Sequence, residues 1–178
     1  MTCIVGLVDS GTIYMGGDSA GVSGYNITGR KDSKVFTNGK FIMGFTSSFR
    51  MGQLLRYSFK PPKRPSKIGV YKYMVTDFVD SVRECFDKGG YAGSDSKGRD
   101  VGGRWLVGYN GRLFMVDCDY QIGESTLPYE SVGCGEEYAL GSLFTSNDLS
   151  PELRVKTALR AAIKFNVGVS GPVRTIKL

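Results

Sequence analysis

The residue of most chemical interest is a threonine at position two, in a chain that contains no histidine. Without histidine, Ser-His-Asp and Cys-His catalysis and every histidine metal site are excluded. A terminal α-amine is another base, because its unperturbed pKa of about 7.7–8.0 leaves a useful fraction neutral at cellular pH. Once Met1 is removed, the Thr2 amine would lie within reach of its own Oγ, directly or through one water. We expect that removal, because a small second residue permits it.

Other common sites find no support in the sequence. None of the four cysteines belongs to a C-x-x-C pair, which excludes zinc-ribbon and thioredoxin-type sites and suggests a reducing compartment. They are Cys3, Cys85, Cys118 and Cys134. The segment 117–119, Asp-Cys-Asp, favours a turn over metal ligation, and the glycine-rich stretch 89–103 lacks the Gly-Lys-Ser/Thr of a phosphate-binding loop. We expect neither a metal nor a cofactor.

Composition limits the remaining classes. A length of 178 residues with 41% hydrophobic residues indicates one domain, 1–178, with a real core. The net charge of +6 is modest, so solubility explains it better than nucleic-acid binding does. The first residues lack the basic and long apolar regions of a signal peptide, and no run of ~18 apolar residues occurs. We therefore expect a soluble cytoplasmic protein with no membrane contact.

Eight strands are expected from apolar runs and turn residues. The turn Asp9-Ser10-Gly11 joins the first two, and Asn38-Gly39 and Asn110-Gly111 each join a later pair, since Asn-Gly suits a two-residue type I′ turn. The expected strands cover 3–8, 12–17, 34–37, 40–44, 104–109, 112–116, 130–133 and 173–178. The stretch 89–103 is expected to be a loop.

Helical spacing of apolar residues predicts four helices, in two consecutive pairs. They cover 47–57, 70–87, 136–144 and 151–165. Ser47 or Ser48 could cap the first, a basic proline-rich break at 60–67 ends it, and Ser150 with Pro151 begins the last. The order of strands and helix pairs indicates an α+β fold, a four-layer αββα sandwich of two antiparallel sheets between two helical layers. Other α+β layouts produce similar patterns.

Several short motifs, in order along the whole chain, carry a family resemblance. They are Thr2-Cys3-Ile4-Val5-Gly6, Gly16-Gly17-Asp18-Ser19, Ser33-Lys34-Val35, Val132-Gly133-Cys134-Gly135 and Tyr138-Ala139-Leu140-Gly141. They resemble signatures of proteasome β subunits and, more closely, of HslV-type peptidases, including bacterial or phage homologues. These are N-terminal-nucleophile (Ntn) threonine peptidases. The spacing from Thr2 to Asp18 to Lys34 is the most specific part.

The resemblance implies catalytic roles for four positions. Thr2 would be the nucleophile, with its amine as general base and then acid. Lys34 would place an ammonium beside Oγ and lower its pKa, and Asp18 would keep Lys34 charged and oriented. An amide nitrogen near Ser47 would bind the oxyanion, although the family usually has a glycine there.

The same resemblance implies a substrate-binding edge and three supporting positions. Residues Ser19, Ala20, Gly21 and Val22 would pair with extended substrate backbone. Cys134 stands where the family has a serine between two glycines, and its thiol is a weaker donor to the terminal amine. Asn166 stands where the family has an aspartate, and the serine that follows matches Val169 or Ser170 depending on the register.

The leading hypothesis is therefore a threonine-type endopeptidase that cleaves unfolded polypeptides. The resemblance implies hexameric or heptameric rings of this chain, stacked around a chamber, and an AAA+ unfoldase ATPase as partner. The alternative is a catalytically inactive ring-forming scaffold or assembly protein, which Met1, Cys134 and Asn166 favour and Thr2, Asp18 and Lys34 oppose. A basic nucleic-acid module is a third possibility, but it lacks an aromatic and basic motif.

Overall fold

Two antiparallel sheets lie face to face in the computed structural model, which describes residues 1–91, 93–94 and 100–178. The strands are β1 (Ile4–Asp9), β2 (Thr12–Gly17), β3 (Ala20–Ser23), β4 (Asn26–Gly29), β5 (Val35–Asn38), β6 (Phe41–Phe45), β7 (Gly93–Ser94), β8 (Asp100–Val101), β9 (Trp105–Tyr109), β10 (Arg112–Val116), β11 (Ile122–Gly123), β12 (Tyr129–Val132) and β13 (Arg174–Lys177). One sheet has the order β12-β1-β2-β13 and the other β11-β10-β9-β6-β5.

Helices cover the outer face of each sheet. They are α1 (Phe49–Gln53), α2 (Val70–Tyr73), α3 (Val79–Lys88), α4 (Glu136–Thr145) and α5 (Pro151–Phe165). Two π-helical segments, Leu54–Ser58 after α1 and Met74–Phe78 between α2 and α3, keep these pieces continuous. The first three helices pack on the five-stranded sheet, and α4 and α5 pack on the four-stranded sheet.

The side chains of β1 alternate between two parts of the hydrophobic core, one under α4 and α5 and one between the sheets. Val5 and Leu7 face α4 and α5, whereas Ile4 points into the space between the sheets, as the period of two in a strand requires. Gly44 keeps this interior tight, because a Cβ there would lie 2.5 Å from Cγ2 of Ile4. The layers therefore follow the order αββα, and the predicted fold class is confirmed.

The three predicted hairpins are present, with β1 paired to β2, β5 to β6 and β9 to β10. Ser48 rather than Ser47 caps α1, since its side chain accepts from two amides of the first turn. The pairings of β3 with β4, β7 with β8 and β10 with β11 were not predicted. The hairpin of β3 and β4 lies in a polar stretch without apolar alternation, and β7 pairs with β8 inside the stretch expected to be a loop.

The remainder of that predicted loop, residues 92 and 95–99, lies outside the described residues. In the part of the chain that the structure describes, no helix is both long enough and apolar enough to cross a membrane.

Candidate active site

Three strand ends bring the predicted catalytic residues together. Thr2 precedes β1 and Asp18 follows β2, and the antiparallel pairing of Ile4 with Gly17 puts these two ends side by side. Lys34 precedes β5 in the opposite sheet, and a Cβ on Gly17 would lie 3.6 Å from the Lys34 Cβ. The site is thus assembled at one end of the sandwich, where both sheets contribute.

The three side chains form a continuous hydrogen-bonded line. The Lys34 ammonium donates to Thr2 Oγ1 at 2.9 Å and to the two Asp18 carboxylate oxygens at 2.9 and 3.0 Å. Asp18 also accepts the backbone amides of Cys3 and Ala20, each at 3.0 Å. With four hydrogen bonds from three groups on its two oxygens, the carboxylate is held in one orientation and fixes the direction of the lysine.

This ion pair is fully buried. The side chains of Lys34 and Asp18 are 1% and 0% exposed. Burial lowers the pKa of Lys34 from its ordinary 10.5, and the charge and hydrogen bonds of Asp18 oppose that fall. A buried lysine with a lowered pKa beside a hydroxyl is typical of sites that activate a nucleophile.

Met1 occupies the space in front of Thr2. The Thr2 hydroxyl donates to the Met1 carbonyl oxygen at 2.5 Å, and the Lys34 ammonium lies 3.5 Å from the same oxygen. The Met1 side chain packs against Gly168, where a Cβ would lie 2.6 Å from the methionine Cβ. While Met1 is attached, the Thr2 nitrogen is an amide and cannot act as a base.

The predicted supporting residue Cys134 contacts Thr2 directly. The Thr2 backbone nitrogen donates to Cys134 Sγ at 3.3 Å, and the thiol lies 3.4 Å from the Thr2 carbonyl oxygen. Gly133 must be glycine here, because its φ is +106° and a Cβ would lie 2.3 Å from that oxygen. Asn166, at the end of α5, donates to the Cys134 carbonyl at 2.6 Å and so holds this turn from behind.

Ser47 lies across a cleft of about 390 Å³ from Thr2 and Cys134. Its φ of +63° is the left-handed backbone that favours glycine, the residue expected in this segment from the resemblance. Within the described part of the chain, the Ser47 amide donates to no protein acceptor. It is therefore available to a ligand oxygen.

The predicted substrate edge is β3 with the residue before it. Its backbone is already paired with β4 on one side, and the amide and carbonyl of Ser19 bond to Ser170 and Arg30. Ala20, Gly21 and Val22 form the strand itself, next to Asp18. Ser170 thus contacts Ser19 rather than Thr2, and Val169, the other possible match, is buried.

Several residues that line the cleft were not predicted, among them Thr46, Arg104 and Cys118. Arg104 directly precedes β9, so the sequence pattern there indicates only the start of a strand. No local signal marks it as a site residue, because Thr2, Ser47 and Cys134, which line the cleft with it, come from distant parts of the chain.

Solved structures resemble this architecture over nearly its whole length. BPH from Thiobacillus denitrificans, in a complex with epoxomicin, superimposes with a TM-score of 0.81 at 16% identity, covering 99% of this chain and 98% of BPH. HslV from Trypanosoma brucei has a TM-score of 0.70 at 16% identity, covering 99% of each chain. The chain has the fold of HslV.

The chain is also similar to an Anbu mutant from Hyphomicrobium sp. strain MC1, with a TM-score of 0.69 at 17% identity over 98% of this chain and 80% of the Anbu chain. The chain matches no protein-family model and no curated protein. At such identities the HslV likeness establishes the fold, and the chemistry has to be argued from the site.

Proposed function

We propose that this chain, once Met1 is removed, is a threonine-type endopeptidase in which Thr2 is the nucleophile. One observation carries the proposal, namely the buried line from Thr2 Oγ1 through the Lys34 ammonium to the Asp18 carboxylate. Burying this ion pair costs desolvation free energy, and a role of the ammonium in the reaction of the adjacent hydroxyl would explain why the pair is kept. Because histidine is absent, another group has to act as the base, and the terminal amine of Thr2 would lie within reach of its own hydroxyl.

In the proposed reaction, the neutral Thr2 amine takes the hydroxyl proton as Oγ1 attacks a peptide carbonyl carbon. The Lys34 ammonium, 2.9 Å from Oγ1, stabilises the negative charge that develops there. The tetrahedral intermediate collapses to an ester on Thr2, its C–N bond breaks, and the protonated amine gives its proton to the leaving nitrogen. Water then hydrolyses the ester, with the same amine as base.

The other predicted residues would act on the intermediate and on the amine. Ser47 lines the cleft, and its amide, which donates to no acceptor among the described residues, would bind the oxyanion. Cys134, 3.3 Å from the Thr2 nitrogen, would orient the amine, with Asn166 supporting the turn. Ala20, Gly21 and Val22 would bind extended substrate backbone through the free edge of β3. Ser19, whose amide and carbonyl bond to Ser170 and Arg30, would hold the start of that strand in place.

We further propose that 1–178 acts as one domain and assembles into stacked hexameric or heptameric rings of its own copies. Large apolar side chains on the α4 and α5 layer support an interface, since Phe144, Phe165 and Val167 are 68%, 67% and 95% exposed. A closed chamber in the cytoplasm would admit only unfolded polypeptides, which an AAA+ unfoldase would supply. Native mass spectrometry of the purified protein measures the ring size.

The catalytic proposal is tested with two forms of one sequence. A cleavable fusion that leaves Thr2 first is compared with the chain that retains Met1, and intact mass verifies each terminus. Hydrolysis of a fluorogenic peptide mixture is expected only from the form that begins at Thr2. Thr2→Ala in the same fusion removes the hydroxyl while leaving the amine, so it should be inactive.

Epoxomicin, the ligand in the BPH complex, provides a second readout. We expect the Thr2-first form to bind it and the Thr2→Ala form not to. If the Thr2-first protein forms rings but neither hydrolyses peptides nor binds the ligand, the peptidase proposal is wrong and the scaffold alternative is supported.

A further inference from the structure

Two short segments form two walls of the cleft around Thr2. One is Thr46–Ser47, which carries the free amide, and the other is the turn at Gly133–Cys134, which contacts the Thr2 nitrogen and carbonyl. The first follows β6 and the second follows β12, and these strands belong to different sheets. They meet directly, since a Cβ on Gly133 would lie 3.3 Å from Cγ2 of Thr46, and hydrogen bonds to other residues join them further.

Arg104 binds the first wall through its backbone. Its carbonyl oxygen accepts the Thr46 amide at 3.2 Å and the Thr46 hydroxyl at 2.6 Å. Its own amide donates to the Ser47 hydroxyl at 3.4 Å. These three hydrogen bonds fix the segment that holds Ser47 in its left-handed conformation.

The side chain of the same residue reaches the second wall. One terminal nitrogen of Arg104 donates to both carboxylate oxygens of Glu136, at 3.1 and 2.8 Å. Glu136, the first residue of α4, in turn accepts the amide of Gly133 at 3.1 Å. A chain of hydrogen bonds thus runs from Ser47 through Arg104 and Glu136 to the residue before Cys134.

We propose that Arg104 is a positioning residue that sets the distance between the Ser47 amide and the Cys134 turn. The inference rests on the proposed function, since these are the groups that would hold the oxyanion and the Thr2 amine. A displacement of about 1 Å in such a site can cost 10²-fold in rate, so a link between the two walls has a direct kinetic effect.

Neither a stability role nor a role in substrate recognition explains these contacts as well. The Arg104 side chain is 36% exposed and that of Glu136 is 27% exposed, and ion pairs so close to water contribute little to folding. The guanidinium is also neutralised, because Asp117 lies 3.8 Å from its Nε in addition to Glu136. It is therefore a poor cation for the selection of acidic substrates.

The test compares Arg104→Met, Arg104→Lys and Glu136→Gln, all in the Thr2-first form. Arg104→Met keeps the backbone bonds and removes the side-chain link, so we expect kcat to fall about tenfold with KM within about twofold. Arg104→Lys restores a charge and should recover part of kcat. Glu136→Gln keeps an acceptor for the Gly133 amide but loses the ion pair, so its kcat should lie between those of the wild type and Arg104→Met.

The matched control is Arg112→Met. Arg112 makes a comparable pair with Glu124, with exposures of 37% and 30%, at the start of β10 and away from Thr2. Its loss should change neither kcat nor KM. Thermal unfolding of all variants is measured alongside, and we expect similar small shifts for Arg112→Met and Arg104→Met.

A second readout does not depend on catalysis. Alkylation of Cys134 by iodoacetamide, followed by peptide mass spectrometry, reports how well the turn is held, because Cys134 is an exposed residue whose thiol is bonded to Thr2. Arg104→Met is expected to speed this reaction severalfold, and Arg112→Met is not. Cys3 is an internal reference, since burial raises the pKa of its thiol to about 12 and keeps it unreactive.

The outcomes separate the two proposals. A wild type that hydrolyses no peptide overturns the proposed function, and the alkylation rate still decides the role of Arg104. Unchanged alkylation and unchanged kcat in Arg104→Met would overturn the positioning role, as would a change in KM alone or an equal effect of Arg112→Met. If Arg104→Met does not fold, Arg104→Lys and Glu136→Gln decide by the same criteria.

Discussion

Replacement of Lys34 by methionine tests the centre of the site. The substitution nearly preserves volume but removes three hydrogen bonds, two to Asp18 and one to Thr2. It leaves a carboxylate that is 0% exposed without its counter-ion. Breaking a buried pair in this way costs about 3–5 kcal/mol. Because Asp18 retains two backbone donors, we expect the lower end of that range, about 3 kcal/mol.

Combining Lys34→Met with Asp18→Asn distinguishes an effect on the stability of the fold from an effect on peptide hydrolysis. The double variant buries no charge, so its loss of stability should be smaller than the sum of the two single losses by about 1–3 kcal/mol. Peptide hydrolysis should not recover with it, because no ammonium stands beside Oγ1. The second substitution is thus expected to limit the loss of stability without restoring activity.

The assay pairs urea unfolding at neutral pH with peptide hydrolysis by the Thr2-first form of each variant. Additive losses of stability would show that the two charges do not depend on one another in the folded chain. Residual hydrolysis within about tenfold of the wild type in Lys34→Met would refute a role for the ammonium in the reaction.

Three further predictions concern residues around Thr2. The pH profile of kcat should be bell-shaped. With rising pH, kcat increases as the Thr2 amine loses its proton near its reference pKa of about 8. At higher pH, kcat decreases as Lys34 loses its proton, and the midpoint of this decrease should lie below pH 10.5, because burial lowers the pKa of Lys34. A descending limb above 10.5 would contradict this. Cys134→Ser should hydrolyse peptides severalfold faster than Cys134→Ala, since a hydroxyl can make both contacts of the thiol; equal rates would exclude an orienting role. Gly133→Ala should lose about 1–3 kcal/mol of stability in urea unfolding and most of its activity, because its φ is +106° and its Cβ would meet the Thr2 carbonyl.

Local signals account for what the sequence predicted about the fold. Asn110-Gly111 forms the predicted two-residue turn, with positive φ at both residues. The turn predicted at Asn38-Gly39 lies one residue further along, because Asn38 belongs to β5 and pairs with Phe41, and of these two residues only Gly39 has a positive φ. The helices follow from apolar residues a few positions apart. The hairpin of β3 and β4 was missed because most of its residues are exposed, so no alternation marks it.

In the candidate site, too, some residues could be predicted from the sequence and others could not. Thr2, Asp18, Lys34 and Cys134 could be selected because motifs around them resemble a family in order and spacing. Arg104 could not, since it acts through contacts with residues about 32 and 57 positions away, and nothing in its own neighbourhood encodes them.

By itself, the sequence determined which chemistry is open to this protein: without histidine, a threonine hydroxyl at position two needs a base such as its own amine. It also determined the local strands, turns and helices. Only the tertiary structure decided that the Lys34 ammonium contacts Thr2, and that Met1 covers the hydroxyl. The physical reason is sheet register, because a slip of one residue would turn the side chains of a strand to its other face and separate the groups that meet at these strand ends.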